Sequence, residues 1–108
     1  MIGIFGGTFD PIHYGHLRCA WEIAEQLELR EVRMLPAGQP PHRGAPQATP
    51  AQRRRMLELA LDGQGLLTLD TRELDRPGPS YMVDTLASLR TELDGEPLCL
   101  ILGQDAFN

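Results

Sequence analysis

The sequence predicts an α/β fold, a parallel sheet wound with helices on both faces. Four short apolar runs alternate with three helix-forming stretches, and the first run ends in a glycine pair that opens directly into a helix. Strict strand–helix alternation requires right-handed crossovers and leaves the strands parallel, which is the doubly wound, Rossmann-like arrangement.

Each element follows from local pattern. Ile2–Phe5 is an apolar run stopping at Gly6-Gly7, as a buried strand entering a tight turn does. From Leu17 onward, Leu17, Ala20, Trp21, Ala24 and Leu27 recur at helical spacing, with Arg18, Glu22, Glu25 and Gln26 on the other face. Val32–Leu35 reads as a second strand and leads into a long Pro, Gly and Ala-rich loop, 36–48. Thr49-Pro50-Ala51-Gln52 carries an N-cap, a proline at the first helical position and a capping-box glutamine. The helix it opens turns Met56, Leu57, Ala60 and Leu61 inward and stops near Gly63. Leu66–Asp70 is the third strand, 75–79 a punctuated loop, and Ser80 the cap of a helix with Met82, Leu86, Leu89 and Leu93 inward. Leu98–Leu102 is the last strand.

A strand order of 3-2-1-4 makes strands one and four neighbours, so the turns Gly6-Gly7-Thr8 and Gly103-Gln104-Asp105 flank one crevice. Residues 1–108 are therefore expected to form a single nucleotide-binding domain. Its sheet is apparently truncated after the fourth strand, which suggests the N-terminal part of a longer chain.

Composition narrows the chemistry. The 108 residues are 42% hydrophobic and carry a formal charge of −5, and all ten basic residues are arginine. Without lysine there is no Walker A loop, no kinase-type strand lysine and no Schiff-base chemistry. Residues 1–55 hold seven Arg against five acids, whereas 56–108 hold three against ten. That balance argues against nucleic acid as a partner and for a small phosphorylated ligand on the less acidic half. No stretch reaches membrane-span length, and Cys19 and Cys99, far apart in apolar surroundings, read as core thiols of a cytoplasmic protein.

The most informative string is Gly6-Gly7-Thr8-Phe9-Asp10-Pro11-Ile12-His13-Tyr14-Gly15-His16-Leu17. The glycines allow close backbone approach, and the following helix aims its free N–H groups at the same point. His13 and His16 can each donate an N–H to a phosphoryl oxygen, giving phosphate chemistry without lysine. Two surface histidines, or two metal ligands in need of further partners that the sequence does not supply, are the alternatives on spacing alone. Asp10 before Pro11 also fits an Asx-type turn.

The string resembles the signature of the nucleotidyltransferase superfamily, Gly-Gly-Thr-Phe-Asp-Pro followed by His-x-Gly-His. With Pro40-Pro41-His42-Arg43 it is similar to the bacterial nicotinate mononucleotide adenylyltransferase family, whose lysine is here Arg43. The resemblance covers essentially the whole chain. It implies transfer of AMP from ATP to nicotinate mononucleotide, giving nicotinate adenine dinucleotide and pyrophosphate in NAD biosynthesis, with Mg2+ accompanying ATP. It implies His16 at the α-phosphoryl group, His13 at the ATP phosphates and the Gly7-Thr8-Phe9 backbone as a phosphate cradle. His42 and Arg43 fall on the substrate side, although Arg43 is also explained by a solvated loop, and a guanidinium forks where an ammonium acts as a point charge. Thr85 would offer its hydroxyl to the nicotinate carboxylate, or simply sit in the second turn of a helix. Gly103 and Asp105 match the family's Gly-x-Asp, with Asp105 at ligand or magnesium shell or capping a helix. Arg53-Arg54-Arg55 reads as a solvated helix face without a site role.

The family's Ile-Ser-Thr-x-x-Arg segment is not found in these 108 residues, so the piece alone is expected to turn over little. Phosphopantetheine as the acceptor, or a non-catalytic module that senses adenine nucleotide, are the competing expectations.

Overall fold

A computed structural model describes residues 1–38, 48–76 and 81–102. In chain order they form β1 (Ile2–Gly7), α1 (Tyr14–Leu27), β2 (Glu31–Pro36), α2 (Pro50–Leu61), β3 (Leu67–Leu69), α3 (Arg72–Asp75), α4 (Met82–Glu92) and β4 (Leu98–Leu102). The strands run parallel, as the alternation predicts, and their order is β3-β2-β1-β4, which makes β1 and β4 neighbours. Gly6 stands opposite both Leu35 and Leu102, so β1, β2 and β4 release their loops at one edge.

The two-residue period of the strands sorts the core into two layers. Phe5, Val32 and Met34 pack with Ala20 and Ala24 of α1 and Leu57 and Leu61 of α2. Ile2, Ile4 and Leu35 face the other way, against Leu86 and Leu89 of α4 and Leu93 at its C-terminal cap. Helices thus cover both faces, and β1, buried from Ile2 to Gly6, lies between the layers. Cys19 and Cys99 are half-buried thiols packed on the first layer.

The capping prediction for α2 holds in detail. Thr49 accepts from Gln52 N and Gln52 Oε1 accepts from Thr49 N, with Pro50 first in the helix. Four features depart from the sequence pattern. α1 starts at Tyr14, three residues before its apolar stripe, because the cap is a histidine. Trp21 and Leu27 stay partly exposed; the indole N–H instead reaches Gln64 Oε1 at 3.0 Å, over the turn after α2. The short α3 was not foreseen, since its four residues are too few to show a helical period. α4 is capped at Tyr81 with no side-chain bond, and Ser80 lies outside the described residues.

On the α4 face of β2, Arg33 meets Asp70 Oδ2 at 3.1 Å and Glu92 Oε2 at 2.9 Å. Arg72 gives its side chain and its backbone N–H to Asp70 Oδ1 and also pairs with Glu92. Burial alone would raise the Asp70 carboxyl, but the bonds from Arg72 and Arg33 outweigh it and hold the carboxyl below its usual range. A depressed folded-state value gives stability that is present above the ordinary carboxylate pKa of about 4 and lost as pH falls below it. Asp70→Asn is expected to cost about 1.5–3 kcal/mol at pH 7 and less near pH 2. Urea midpoints at the two pH values check this; an equal loss at both would contradict it.

Candidate active site

The loop edge of the sheet carries the glycine–histidine string. Behind β1 the chain turns through Thr8 and Phe9, and Phe9 sits at φ +52°, in the left-handed region that bulky residues avoid. Such backbone persists only where packing holds it, and Phe9 is buried with its ring 5.7 Å from Phe5 and edge-on to His16 at 5.0 Å. A Cβ on Gly7 would come within 3.3 Å of the Phe9 ring. The glycine therefore makes room for Phe9 as well as for any ligand.

Residues 13–16 form a reciprocal cap. His13 is the N-cap of α1, with its Nδ1 accepting from Gly15 N at 3.1 Å, while His16 Nδ1 accepts from His13 N at 3.0 Å. The rings stack at 3.8 Å and 27°. Because Nδ1 is the acceptor on both rings, each neutral imidazole carries its proton on Nε2. Both imidazoles are thus held at one helix start, where the helix dipole also favours an anion. His13 is exposed and His16 half-buried, so both remain reachable. Asp10, in the same turn, accepts from Ala48 N at 2.9 Å and ties the turn to the start of α2, as an Asp before Pro is expected to stabilise a turn.

Arg53 overturns the sequence reading. Of the three arginines on α2, Arg55 is exposed and Arg54 pairs with Asp75, but Arg53 is 0% exposed. Its Nη1 donates to Thr8 O at 3.0 Å and Ala37 O at 2.6 Å, and its Nη2 donates to Gly38 O at 3.0 Å. Burial pulls this guanidinium below its usual pKa and the Asp10 carboxylate opposes the shift. The signal was in the sequence: Arg53 lies four and eight residues before Leu57 and Leu61, on the inward stripe of the helix.

Thr85 is also buried. It gives its hydroxyl hydrogen to Glu73 Oε2 at 2.6 Å and accepts from Arg76 Nη1 at 3.2 Å. Donation to a ligand carboxylate would require the Glu73 bond to open. His42, Arg43, Gly103 and Asp105 lie outside the described residues. Among the described residues no three His, Cys, Asp or Glu side chains converge as a metal site. No described helix is long and apolar enough to cross a membrane.

Known proteins share this arrangement. The family model described as cytidylyltransferase-like matches residues 4–108. The chain belongs to the cytidylyltransferase-like family. Among its relatives, a probable nicotinate-nucleotide adenylyltransferase of Methylococcus capsulatus is 68% identical over 99% of this chain and 51% of its own length. A protein of the same description from Halorhodospira halophila is 56% identical over 98% of this chain and 49% of its own. The chain thus spans about half the length of the curated relatives it matches. Nicotinic acid mononucleotide adenylyltransferase of Plasmodium falciparum, solved in complex with NaAD, shares the fold, with a TM-score of 0.70 at 21% identity over 94% of this chain and 50% of that one.

The histidine string depends on Gly15 for a local reason. A Cβ there would lie 3.0 Å from His13 Cε1 and 3.1 Å from its Nδ1, so the capping ring would have to give way by a few tenths of an ångström. Gly15→Ala is expected to cost about 1 kcal/mol, the worth of an N-cap, and to speed amide exchange in the first turn of α1. Unchanged exchange at residues 14–17 would contradict the capping role.

Proposed function

We propose that this chain carries the nucleotide-positioning part of a nicotinate mononucleotide adenylyltransferase, a cytoplasmic enzyme of NAD biosynthesis. The observation that carries the reading is the stacked His13–His16 pair, each ring held through its Nδ1 at the start of α1, in the string that follows β1. The printed descriptions of the relatives supply the acceptor.

The reaction needs positioning and charge stabilisation more than a base. A phosphate oxygen of nicotinate mononucleotide attacks the α-phosphorus of Mg–ATP in line, the bond to the β-phosphate oxygen breaks, and pyrophosphate leaves with that electron pair. Magnesium bound with the nucleotide, with Asp105 in its shell, would offset charge on the leaving group. His16, wedged against Phe9, donates to the α-phosphoryl oxygens where negative charge builds. His13 contacts the other ATP phosphates, and the Gly7-Thr8-Phe9 backbone cradles them, with Gly103 and Asp105 also serving the phosphates. His42 and Arg43 serve the acceptor side. Thr85 lies near the same substrate through the start of α4, its hydroxyl held by Glu73 and Arg76.

Structural and chemical roles of the histidines can be separated. Glutamine at the third helical position maintains a capping box but offers no imidazole donor. In the complete encoded chain, His16→Gln is expected to lower kcat about 100-fold or more, with stability changed by less than about 1 kcal/mol. A kcat within threefold of the parent, at roughly the same stability, would remove His16 from the chemistry.

Acceptor choice is read from pyrophosphate release by the complete chain. Nicotinate mononucleotide is expected to exceed phosphopantetheine in kcat/KM by at least about 100-fold. Preference for phosphopantetheine, or ATP binding with no release for any acceptor, would overturn the proposal.

A further inference from the structure

A fully buried arginine whose described hydrogen bonds all go to backbone carbonyls is an uncommon choice for a core position, because desolvating the cation is costly and an apolar side chain of similar length would fill the space. Arg53 makes three such bonds, to Thr8 in the turn after β1 and to Ala37 and Gly38 just past β2. Its Nε is buried without a partner among the described residues. The carbonyls it holds belong to the segments that follow β1 and β2, the first of which runs on to the histidine pair.

In a trans peptide the C=O and the following N–H point in opposite directions. Drawing the Thr8 and Ala37 oxygens inward to one guanidinium therefore turns the Phe9 and Gly38 N–H groups away from it. The positive φ of Phe9 adds to this, since alternating backbone hands form concave sets of N–H donors. Left ungathered, the same carbonyl oxygens would be free to present their negative ends to an incoming phosphate.

We propose that Arg53 is a positioning residue that makes these loops anion-binding, by collecting their carbonyl oxygens on the core side so that their N–H groups serve a polyphosphate. This deepens the phosphate-cradle reading above and rests on it. Arg53 itself does not touch the nucleotide; it acts through the peptide units it holds.

The test uses the complete encoded chain with ATP, adenosine and inorganic tripolyphosphate as probes. Arg53→Met is expected to weaken ATP and tripolyphosphate binding by at least roughly tenfold while leaving adenosine affinity within about twofold. Arg53→Lys, which retains a cation with three donors, is expected to recover part of the loss. ATP affinity within about twofold of the parent in Arg53→Met, or adenosine affinity falling in step with ATP, would overturn the proposal. A second readout needs no variant. In the parent chain, tripolyphosphate is expected to slow amide exchange at Phe9 and Gly38, and exchange unchanged at both would refute the inference even if Arg53→Met fails to fold. Failure of the underlying reading has a different signature: the parent chain would bind neither ATP nor tripolyphosphate.

Discussion

Two hydrogen bonds from backbone N–H groups to imidazole nitrogens hold the start of α1 in place. His13 Nδ1 takes Gly15 N and His16 Nδ1 takes His13 N, so the helix is capped by the same side chains that are proposed to serve the phosphates. The consequences run in both directions. The cap decides where α1 begins and aims its dipole at the loop edge of the sheet. The same bonds place the ring protons on Nε2, away from the backbone. Phe9, forced to a left-handed backbone and buried beneath His16, supports the arrangement from below, and Gly7 leaves space for the Phe9 ring.

Arginine does two different jobs in this lysine-free chain. On the α4 side of the sheet, Arg33 and Arg72 face the carboxylates of Asp70 and Glu92, and the charges offset one another. On the other side Arg53 faces carbonyl oxygens from two loops. A planar fork with several fixed donors suits both tasks, since one guanidinium spans acceptors on separate segments. The first use stabilises the packing of α4 and β3 on β2. The second orders the backbone next to the histidines.

Much of this was legible in the sequence because the signals were local. The alternation of apolar runs and amphipathic stretches gave the winding, and Thr49-Pro50-Ala51-Gln52 marked the start of α2 to the residue. The start of α1 was placed late because histidine is outside the usual set of cap residues and the apolar stripe only begins at Leu17. Arg53 was misread for a different reason: charge suggests solvent, whereas its spacing from Leu57 and Leu61 pointed inward, and only tertiary structure reveals the carbonyls that make burial tolerable. Thr85 likewise looked like a residue available to ligand until Glu73 and Arg76, from a segment with no helical period, proved to hold its hydroxyl. Residues that meet only through the fold leave no periodic trace.

The account depends most on the protonation pattern of the two rings, and nitrogen-15 NMR of the imidazoles in the complete chain, above pH 7.5 or so where free histidine is neutral, reads it directly. Both His13 and His16 are expected as Nε2–H tautomers with Nδ1 accepting. An Nδ1–H tautomer at either residue would mean that the cap is not formed as described and that the two donors do not face the nucleotide together.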